Sequence, residues 1–294
     1  MVIDADVHAT DTRKYPARGR AYYHGRPLSL EEILAEMDAA LVDAANVWQN
    51  PAATLYPGTK DANFGALLEA NEYIALGASK YPKRFIGSGW TDPKACGVGN
   101  AVRIAEVCVK EFGFVIVKLN PAQNSFPIDS PQVIEVVEAI VSLGAIPAFH
   151  YGADTPFTPA RGLEAILQRF PETPVLAVHM GGGGAGYLEA ETQYQESIAL
   201  GLRYPNLKYA LSALRDTYIE EALFQYQAAG EPFSRNLFCA SDAPYGKMSW
   251  NFGGFRAMLE SLGFDEDSVR GYLGGNFARM LTSHQERLSG AKPA

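Results

Sequence analysis

The chain has 294 residues, of which 47% are hydrophobic and 20% are charged, so it can bury a core of ordinary size and does not belong to the disordered class. It carries 25 basic and 33 acidic residues, a formal net charge of −8, and no block rich in lysine or arginine. This balance argues against nucleic acid or an anionic membrane as the main partner.

The amino-terminal sequence lacks the features of an exported or membrane-bound protein. Residues 1–16 contain no charged start followed by an apolar stretch, and no window of the chain holds eighteen uninterrupted apolar residues. Three scattered cysteines, Cys96, Cys108 and Cys239, match neither a disulfide framework nor a metal-binding Cys-x-x-Cys motif. We therefore expect a soluble, cytoplasmic protein with buried thiols.

Eight short apolar runs, rich in β-branched residues, begin at intervals of 29 to 42 residues along the chain. They are Val2–His8, Ala44–Asn50, Phe85–Asp92, Phe114–Asn120, Ile146–Gly152, Val175–Gly182, Leu207–Ala213 and Leu237–Pro244. Nearly continuous apolar runs are typical of parallel strands covered on both faces, and the intervals leave room for one helix between successive strands. The pattern predicts an α/β fold, a closed (β/α)8 barrel, with residues 1–294 forming a single domain.

Helix signals occupy the intervals between the runs. Ser29 and Glu32 form a capping box, Ser130-Pro131 and Thr158-Pro159 each place a cap residue before a proline, and Pro171 closes the helix that follows the second pair. Further helices are predicted over Leu188–Leu202, Tyr218–Ala228, Asn251–Leu262, Asp265–Leu273 and Asn276–Leu288. The last three exceed the needs of one barrel unit, and we expect them to pack on the barrel as a C-terminal extension.

Ionisable residues stand at the carboxyl ends of the predicted strands, where (β/α)8 barrels carry their chemistry. The two-residue period of a strand turns Asp6 and His8 to the same face. With His150 and Asp242 they provide two imidazoles and two carboxylates, a set suited to Zn²⁺ and acceptable to Mn²⁺ or Fe²⁺. The alternative is that Asp6 and His8 only cap loops or pair with each other. We expect one divalent metal ion, zinc before manganese or iron, bound by all four residues.

His179 ends the sixth predicted strand and leads into four glycines, which allow a ligand to approach the backbone closely. An imidazole beside a metal is suited to general acid/base catalysis because its pKa lies near the operating pH. The alternative is a core histidine that is hydrogen-bonded to a backbone carbonyl.

A family pattern is carried by Ile3–His8, Val117–Pro121, Phe149–Gly152, Val178–Gly182, Ala240–Tyr245 and Gly274–Leu281. In this order and spacing the segments resemble the amidohydrolase superfamily, specifically the amidohydrolase-related group that includes aminocarboxymuconate semialdehyde decarboxylase, the γ-resorcylate and 5-carboxyvanillate decarboxylases, and assorted hydrolases. The resemblance covers nearly the whole chain. It implies that His8, His150 and Asp242 ligate a metal and that His179 is the acid/base or substrate-polarising histidine. Asp6 stands where the superfamily usually has its first histidine, and some decarboxylase relatives have an acidic residue at that position.

Lys118 lies on the fourth predicted strand. Binuclear members of the resembled superfamily have a carboxylated lysine there that bridges two metals, whereas the subgroup with a Lys-Leu-x-Pro strand is mononuclear. Three roles stay open for Lys118: a carbamate, a contact with substrate and a structural ion pair.

Several residues that follow the strands are candidates for a substrate pocket. They are Trp48, Asn50, Trp90, Tyr151, Arg215 and Tyr245. Arg215 offers a forked donor to an anionic substrate, whereas aromatic residues at strand ends also serve to complete packing. His24 and His284 are expected in a loop and on the surface, respectively.

Two reactions are open to the same residues. In the preferred prediction, a metal-dependent hydrolase, a metal-activated water at the barrel mouth attacks an ester, lactone or amide, Asp242 takes its proton and His179 stabilises the oxyanion. The alternative is a metal-dependent decarboxylase of a hydroxylated aromatic or muconate-like acid, in which Asp242 or His179 delivers a proton to carbon. The short chain resembles the hydrolase-like members of the family, which favours hydrolysis. A third alternative is a barrel that has lost its metal and serves as a binding module.

The resemblance also implies self-association, because members of the family commonly associate through peripheral helices. The extra C-terminal helices offer apolar surface for such contacts. We expect a homodimer that acts on a small-molecule substrate.

Overall fold

The protein is described by a computed structural model that covers residues 1–14, 27–51, 54, 56, 58–152, 156–182, 191–214 and 216–290. His24 and Arg215, and the third and fourth glycines after His179, lie outside the described residues. Among the described residues, no helix is both long enough and apolar enough to span a membrane.

Within the described residues, nine largely buried parallel strands form the centre of the molecule. They are β1 (Ile3–Ala9), β2 (Ala44–Gln49), β3 (Phe85–Gly87), β4 (Gly89–Trp90), β5 (Ile116–Leu119), β6 (Ile146–Gly152), β7 (Val175–Gly181), β8 (Leu207–Leu211) and β9 (Leu237–Cys239). Each pairs with its neighbours in chain order, as β1-β2-β3 and as β4 through β9. β3 and β4 are two halves of the third predicted strand, because Ser88 interrupts the ladder.

Backbone hydrogen bonds join the two sheets into a closed barrel. At the interruption, the Ser88 amide donates to the Val47 carbonyl at 3.0 Å. On the other side, the His8 amide donates to Ala243 O at 2.7 Å and the Asp242 amide donates to Asp6 O at 3.0 Å, which connects β1 to the segment after β9. The prediction of an α/β fold with a (β/α)8 barrel is therefore confirmed.

Helices follow the strands and cover the barrel. They are α1 (Leu30–Ala40), α2 (Lys60–Lys80), α3 (Pro93–Cys96), α4 (Val98–Lys110), α5 (Pro121–Asn124), α6 (Pro131–Ser142), α7 (Ala160–Arg169), α8 (Glu191–Arg203), α9 (Asp216–Ala229), α10 (Met248–Ser261), α11 (Glu266–Arg270) and α12 (Asn276–Leu288). The predicted third C-terminal helix is confirmed as α12, and the second divides into α11 and a wider turn over Gly271–Gly275. Within that turn, Gly274 approaches the amide of Ile3 so closely that a Cβ atom would lie 2.5 Å from it.

The helix caps agree with two of the three predicted starts. Ser29 Oγ accepts from the Glu32 amide at 3.2 Å while the Glu32 carboxylate accepts from the Ser29 amide at 2.8 Å, so the capping box is formed. Ser130 caps α6 ahead of Pro131. Thr158 does not cap α7, because its hydroxyl donates to the Gly152 carbonyl at 2.6 Å and Pro159 takes the cap position.

The three cysteines are buried as predicted. The expectation for His284 is wrong. His284 was expected on the surface, but it is only 3% exposed. Its Nε2 lies 2.9 Å from the Gly144 carbonyl and its Nδ1 lies 3.0 Å from the Arg287 guanidinium. These two polar contacts satisfy both ring nitrogens, which is why a histidine is tolerated on the buried side of α12. The single domain and the homodimer stay predictions.

Candidate active site

The first strand brings three carboxylate or imidazole side chains into the barrel. Asp4, Asp6 and His8 alternate along β1, and each is at most 3% exposed. Alternate residues of a strand share a face, so these side chains form successive layers from the barrel floor to its mouth. In the lowest layer, Asp4 Oδ1 accepts from the Ser241 amide at 2.9 Å, and burial raises the pKa of Asp4 to about 7.

Three of the four predicted metal ligands come together at the mouth. His8 Nε2 lies 3.5 Å from Asp6 Oδ1 and 3.5 Å from Asp242 Oδ1. The ligand atoms of this cluster all lie within 4.8 Å of one another. Metal–ligand bonds of about 2.0–2.2 Å in a tetrahedron separate the ligand atoms by roughly 3.4 Å, so the two short separations fit a divalent ion of this size.

The orientation of His8 also fits a metal ligand. Its Nδ1 lies 3.0 Å from the carbonyl oxygen of Gln49, at the end of β2. A donor at Nδ1 leaves the Nε2 lone pair free, and this is the arrangement in which a metal-bound histidine is held by a carbonyl behind it. The backbone of β2 therefore fixes the nitrogen that faces Asp6 and Asp242.

The Asp6 carboxylate is held by three donors inside the barrel. Oδ1 accepts from Trp48 Nε1 at 2.8 Å and from Lys118 Nζ at 3.1 Å, and Oδ2 accepts from Ser212 Oγ at 3.0 Å. Burial by itself acts to raise the pKa of Asp6, but Lys118, with His8 and His179, outweighs it and holds that pKa well below its usual range. Asp6 is thus an anion in a fixed position, with part of its lone-pair capacity already used.

Lys118 is completely buried on β5, in an ion pair with Asp6. Its ammonium lies 4.6 Å from the ring centre of Trp48 and 5.1 Å from that of Trp90. Aromatic faces stabilise a desolvated cation, so the two indoles and one carboxylate together compensate the buried charge. The ion pair is one of the three roles left open from the sequence, and a contact with substrate stays a prediction.

His150, the fourth predicted ligand, is displaced from the cluster of three and packs against His179. The two rings meet edge to face with their centres 4.4 Å apart. His150 Nε2 is buried and has no hydrogen-bond partner within the described part of the chain. Burial, followed by the neighbouring His179 and Lys118, holds the pKa of His150 well below its ordinary value. A neutral imidazole with an unused buried nitrogen is suited to bind a metal or a substrate oxygen.

Ser212 is a site residue that the sequence analysis missed. Its hydroxyl donates to Asp6 Oδ2 and lies 2.9 Å from His179 Nδ1, so it joins the two side chains. The Ser212 carbonyl lies 3.2 Å from the same nitrogen. With Nδ1 engaged, Nε2 is the nitrogen of His179 left for substrate. The two-residue alternation along β8 could have predicted this residue, because it places Ser212 on the side that faces the barrel interior.

Three residues of the site have backbones in the left-handed region. The φ angles are 80° at His179, 45° at Met180 and 57° at Asp242. Side chains other than glycine rarely adopt positive φ, and such strain persists where the surrounding fold imposes it, commonly at functional sites. The carboxyl end of β7 and the segment after β9 therefore set the positions of both candidate acid/base groups.

The remaining candidates for substrate binding differ in their positions. Trp48 is fully buried beneath the cluster, whereas Tyr245 stands beside it with its ring 5.7 Å from that of His8. The Tyr245 hydroxyl lies 2.5 Å from Asn50 Oδ1. Trp90, also fully buried, packs edge-on to His8 at 5.8 Å, and its Nε1 has no partner among the described residues.

The expectation for Tyr151 needs correction. Its ring packs against Tyr209, and its hydroxyl lies 3.3 Å from Ser197 Oγ on α8. Because His150 faces the barrel interior, the next residue of β6 faces the helix layer. Tyr151 therefore does not line the mouth. Arg215 lies outside the described residues, so its contact with an anionic substrate stays a prediction.

Solved structures with the same fold include several decarboxylases. The 2,6-dihydroxybenzoate decarboxylase from Rhizobium superimposes with a TM-score of 0.71 at 16% identity, over 96% of this chain and 98% of that one. The 5-carboxyvanillate decarboxylase from Sphingomonas paucimobilis gives 0.69 at 18% identity, over 95% and 98%. A dihydroxybenzoic acid decarboxylase from a Polaromonas species, solved with bound manganese, gives 0.68 at 16%, over 97% of each chain. No curated protein sequence matches this chain significantly.

The family is shown by the sequence itself. The model of the amidohydrolase family matches residues 3–281, which is most of the chain and includes every candidate ligand. The resemblance identified from the six sequence segments is thereby confirmed. The chain belongs to the amidohydrolase family, and it is a metal-dependent enzyme of that superfamily, either a hydrolase or a carboxy-lyase.

Proposed function

We propose that the protein is a metal-dependent, non-oxidative decarboxylase of a hydroxylated aromatic acid. The observation that carries this proposal is the aromatic enclosure of the polar cluster. The His8 ring is flanked by Trp90 at 5.8 Å and by Tyr245 at 5.7 Å. Aromatic groups pair at ring separations of about 4.5–7 Å, so a planar aromatic substrate bound beside His8 would have aromatic neighbours, which suits it better than a small aliphatic ester or amide.

The structural relatives support the decarboxylase alternative better than the hydrolase that the sequence analysis preferred. Those described above act, by name, on dihydroxybenzoates or on 5-carboxyvanillate. Each of these compounds is an aromatic acid with a carboxylate on the ring. The same cluster of His8, Asp6 and Asp242 would serve such a substrate here.

A divalent ion fits the site, because the donor set is mixed nitrogen and oxygen and the buried His150 Nε2 lacks a partner. Asp6, His8 and Asp242 would hold it, with His150 as a further ligand. When bound, it supplies a Lewis acid that orients the substrate carboxylate and an adjacent hydroxyl. Zinc remains our first expectation for this donor set, and the manganese found in one relative supports manganese as the alternative.

The proton that replaces the carboxylate comes from Asp242 in this mechanism. Its side chain is 12% exposed to solvent, whereas that of Asp6 is fully buried. A protonated Asp242 transfers its proton to the ring carbon that carries the carboxylate. The carbon–carbon bond then breaks, its electron pair restores the aromatic ring, and CO2 leaves. Asp242 is left as a carboxylate and is reprotonated from solvent for the next turnover.

His179 polarises the substrate and assists this proton transfer. Its Nδ1 faces the Ser212 carbonyl and the Ser212 hydroxyl, so Nδ1 carries the proton and the lone pair of Nε2 can accept a hydrogen bond from a substrate hydroxyl. The unpartnered Nε1–H of Trp90 is a donor for a substrate oxygen. Fixed donors in a site closed to water stabilise developing charge more than the same donors in bulk solvent.

The test is a panel of hydroxybenzoates incubated with the metal-loaded protein, in which CO2 release and the decarboxylated phenol are both measured. In D2O, one deuterium should appear at the ring carbon that lost its carboxylate. A parallel panel of aryl esters, lactones and amides tests hydrolysis. Turnover of the second panel without CO2 from the first would overturn the proposal in favour of the hydrolase.

A matched pair of variants tests the role of Asp242 within the same assay. Asp242→Asn should lower decarboxylation by about 10²–10⁴, the usual contribution of a positioned acid. Asp129→Asn changes an exposed carboxylate that is not part of the cluster and should leave the rate unchanged. Equal rates for the two variants would remove Asp242 from the mechanism.

A further inference from the structure

A cationic cavity lies at the end of the barrel opposite the candidate active site. Its volume is about 590 Å³, and it lies among the segments that precede β7, β8 and β9 and the inner side of α12. Four cationic side chains line it, Lys208, Arg235, Arg279 and Arg287, and none of the lining residues is an acid. Such a concentration of positive charge is notable in a chain with a formal net charge of −8.

Lys208 reaches the cavity from inside the barrel. It alternates on β8 with Tyr209, whose hydroxyl donates to the Ser197 carbonyl on the helix side, so Lys208 faces the interior. Its ammonium donates to the Pro205 carbonyl at 2.9 Å and to Asn236 Oδ1. Neither acceptor is charged. Burial lowers the pKa of Lys208 to about 8, and no carboxylate among the described residues pairs with it.

The arginines are only partly neutralised. Arg235 forms an ion pair with Glu231. Arg287 donates to His284 Nδ1, a neutral acceptor, and Arg279 has no hydrogen bond or ion pair within the described ranges. Of the four lining cations, one is therefore paired with an acid and three are not.

We propose that this cavity binds a small organic anion that carries a phosphate group. Three unpaired cations exceed the charge of one carboxylate, whereas a phosphate monoester brings nearly two negative charges and three acceptor oxygens. Arginine guanidinium groups bind such oxygens in pairs. The cavity lies within the usual range of about 300–1,000 Å³ for small-molecule sites, and Pro174 and Met280 provide apolar surface for the rest of the molecule.

A purely structural role explains the cluster less well. Residues at the amino-terminal end of barrel strands commonly serve stability, and burying a lysine for stability favours a carboxylate partner. Here Lys208 is largely buried with only neutral acceptors, and the nearby Arg279 and Arg287 have no acid partner among the described residues, so a bound anion would offset the cost of desolvating the lysine. The inference concerns binding at this end of the barrel and is independent of the reaction at the other end.

The test uses calorimetric titration of the metal-loaded full chain with phenyl phosphate, inorganic phosphate and acetate at constant ionic strength. We expect phenyl phosphate to bind more tightly than inorganic phosphate, and acetate to bind weakly. Absence of binding by both phosphates, or equally tight binding of acetate, overturns the proposal.

Two variants test whether the phosphate binds at the cationic cavity. Arg279→Gln removes an exposed charge with no partner and should weaken phosphate binding about tenfold or more. Arg161→Gln is its matched control, an exposed arginine in the first turn of α7 at the other end of the barrel, and should not change the affinity. Lys208→Met tests the buried cation, with circular dichroism as a check of folding. Phosphate affinity that is unchanged in both Arg279→Gln and Lys208→Met would mean that phosphate binds elsewhere, and the inference would fail.

Discussion

Lys118 and Asp6 form a completely buried ion pair across the barrel, with Nζ 3.1 Å from Oδ1, although they are 112 residues apart in the chain. The pair connects β5 with β1, and the indoles of Trp48 and Trp90 flank the ammonium. Removal of one partner from a buried ion pair leaves an uncompensated charge, which is more costly than the loss of the attraction itself.

This relationship predicts that Lys118→Met lowers the free energy of unfolding by about 3–5 kcal/mol. The double variant Lys118→Met with Asp6→Asn should recover part of that loss, because it leaves no buried charge. Denaturant unfolding of the four proteins in the cycle provides the measurement. The exposed Lys110, paired with Glu106, is the control, and Lys110→Gln should cost less than about 1 kcal/mol. A Lys118→Met protein as stable as the wild type would contradict this account.

We predict close to one equivalent of divalent metal per chain, bound by Asp6, His8 and Asp242 with His150. His8→Ala should abolish binding because it removes the nitrogen ligand, whose Nε2 lies 3.5 Å from an oxygen of each carboxylate. His150→Ala should also abolish it, and elemental analysis of each purified variant is the measurement. Full metal content in His150→Ala would exclude that residue as a ligand. Two equivalents in the wild type would instead indicate a carboxylated Lys118.

His179→Asn should reduce activity by about 10²–10⁴ while metal content and folding are retained. The asparagine keeps a polar group near Ser212 but removes the titratable ring. Steady-state rates and elemental analysis on the same preparation separate the two effects. Loss of the metal would make His179 a ligand, and an unchanged rate would make it a packed core histidine.

The pKa of Lys208 predicts a pH dependence of stability. Because burial lowers that pKa from 10.5 to about 8, the folded chain binds fewer protons than the unfolded chain between these two values. Unfolding in this window takes up a proton, so the contribution of Lys208 makes the folded state more stable as the pH rises from 8 towards 10.5. The limiting slope is about 1.4 kcal/mol per pH unit.

The comparison with Lys208→Met isolates this effect from other titrations. The stability difference between wild type and variant should shift in favour of the wild type as the pH rises from 8 to 10, and it should be flat below pH 7. Urea unfolding at a series of pH values in a buffer without phosphate gives the difference. A difference that is independent of pH throughout would show that the ammonium is not desolvated.

Much of the site followed from periodicity. The two-residue alternation in Asp6-Val7-His8 and the ends of the other strands identified the polar side chains of the mouth, because a parallel barrel collects its strand ends in one place. The same alternation, applied to β6, would have turned Tyr151 away from the mouth, and applied to β8 it would have identified Ser212 and Lys208. The charged or aromatic character of a residue after a strand predicted its place in the site less well than the two-residue alternation did, because the alternation sets which face of the strand the side chain is on.

By itself, the sequence determined the (β/α)8 barrel, the amidohydrolase family and which residue types stand at the strand ends, because hydrophobic period and motif spacing are local properties of the chain. Only the tertiary structure decided which of those residues meet. The pairing of Lys118 with Asp6, the bridge from Ser212 to His179, the separation of His150 from the other ligands and the cationic cavity around Lys208 all join distant segments. Such contacts depend on strand register and on how the helices pack on the barrel. Both are set by interactions between distant segments, so no short segment of sequence predicts them.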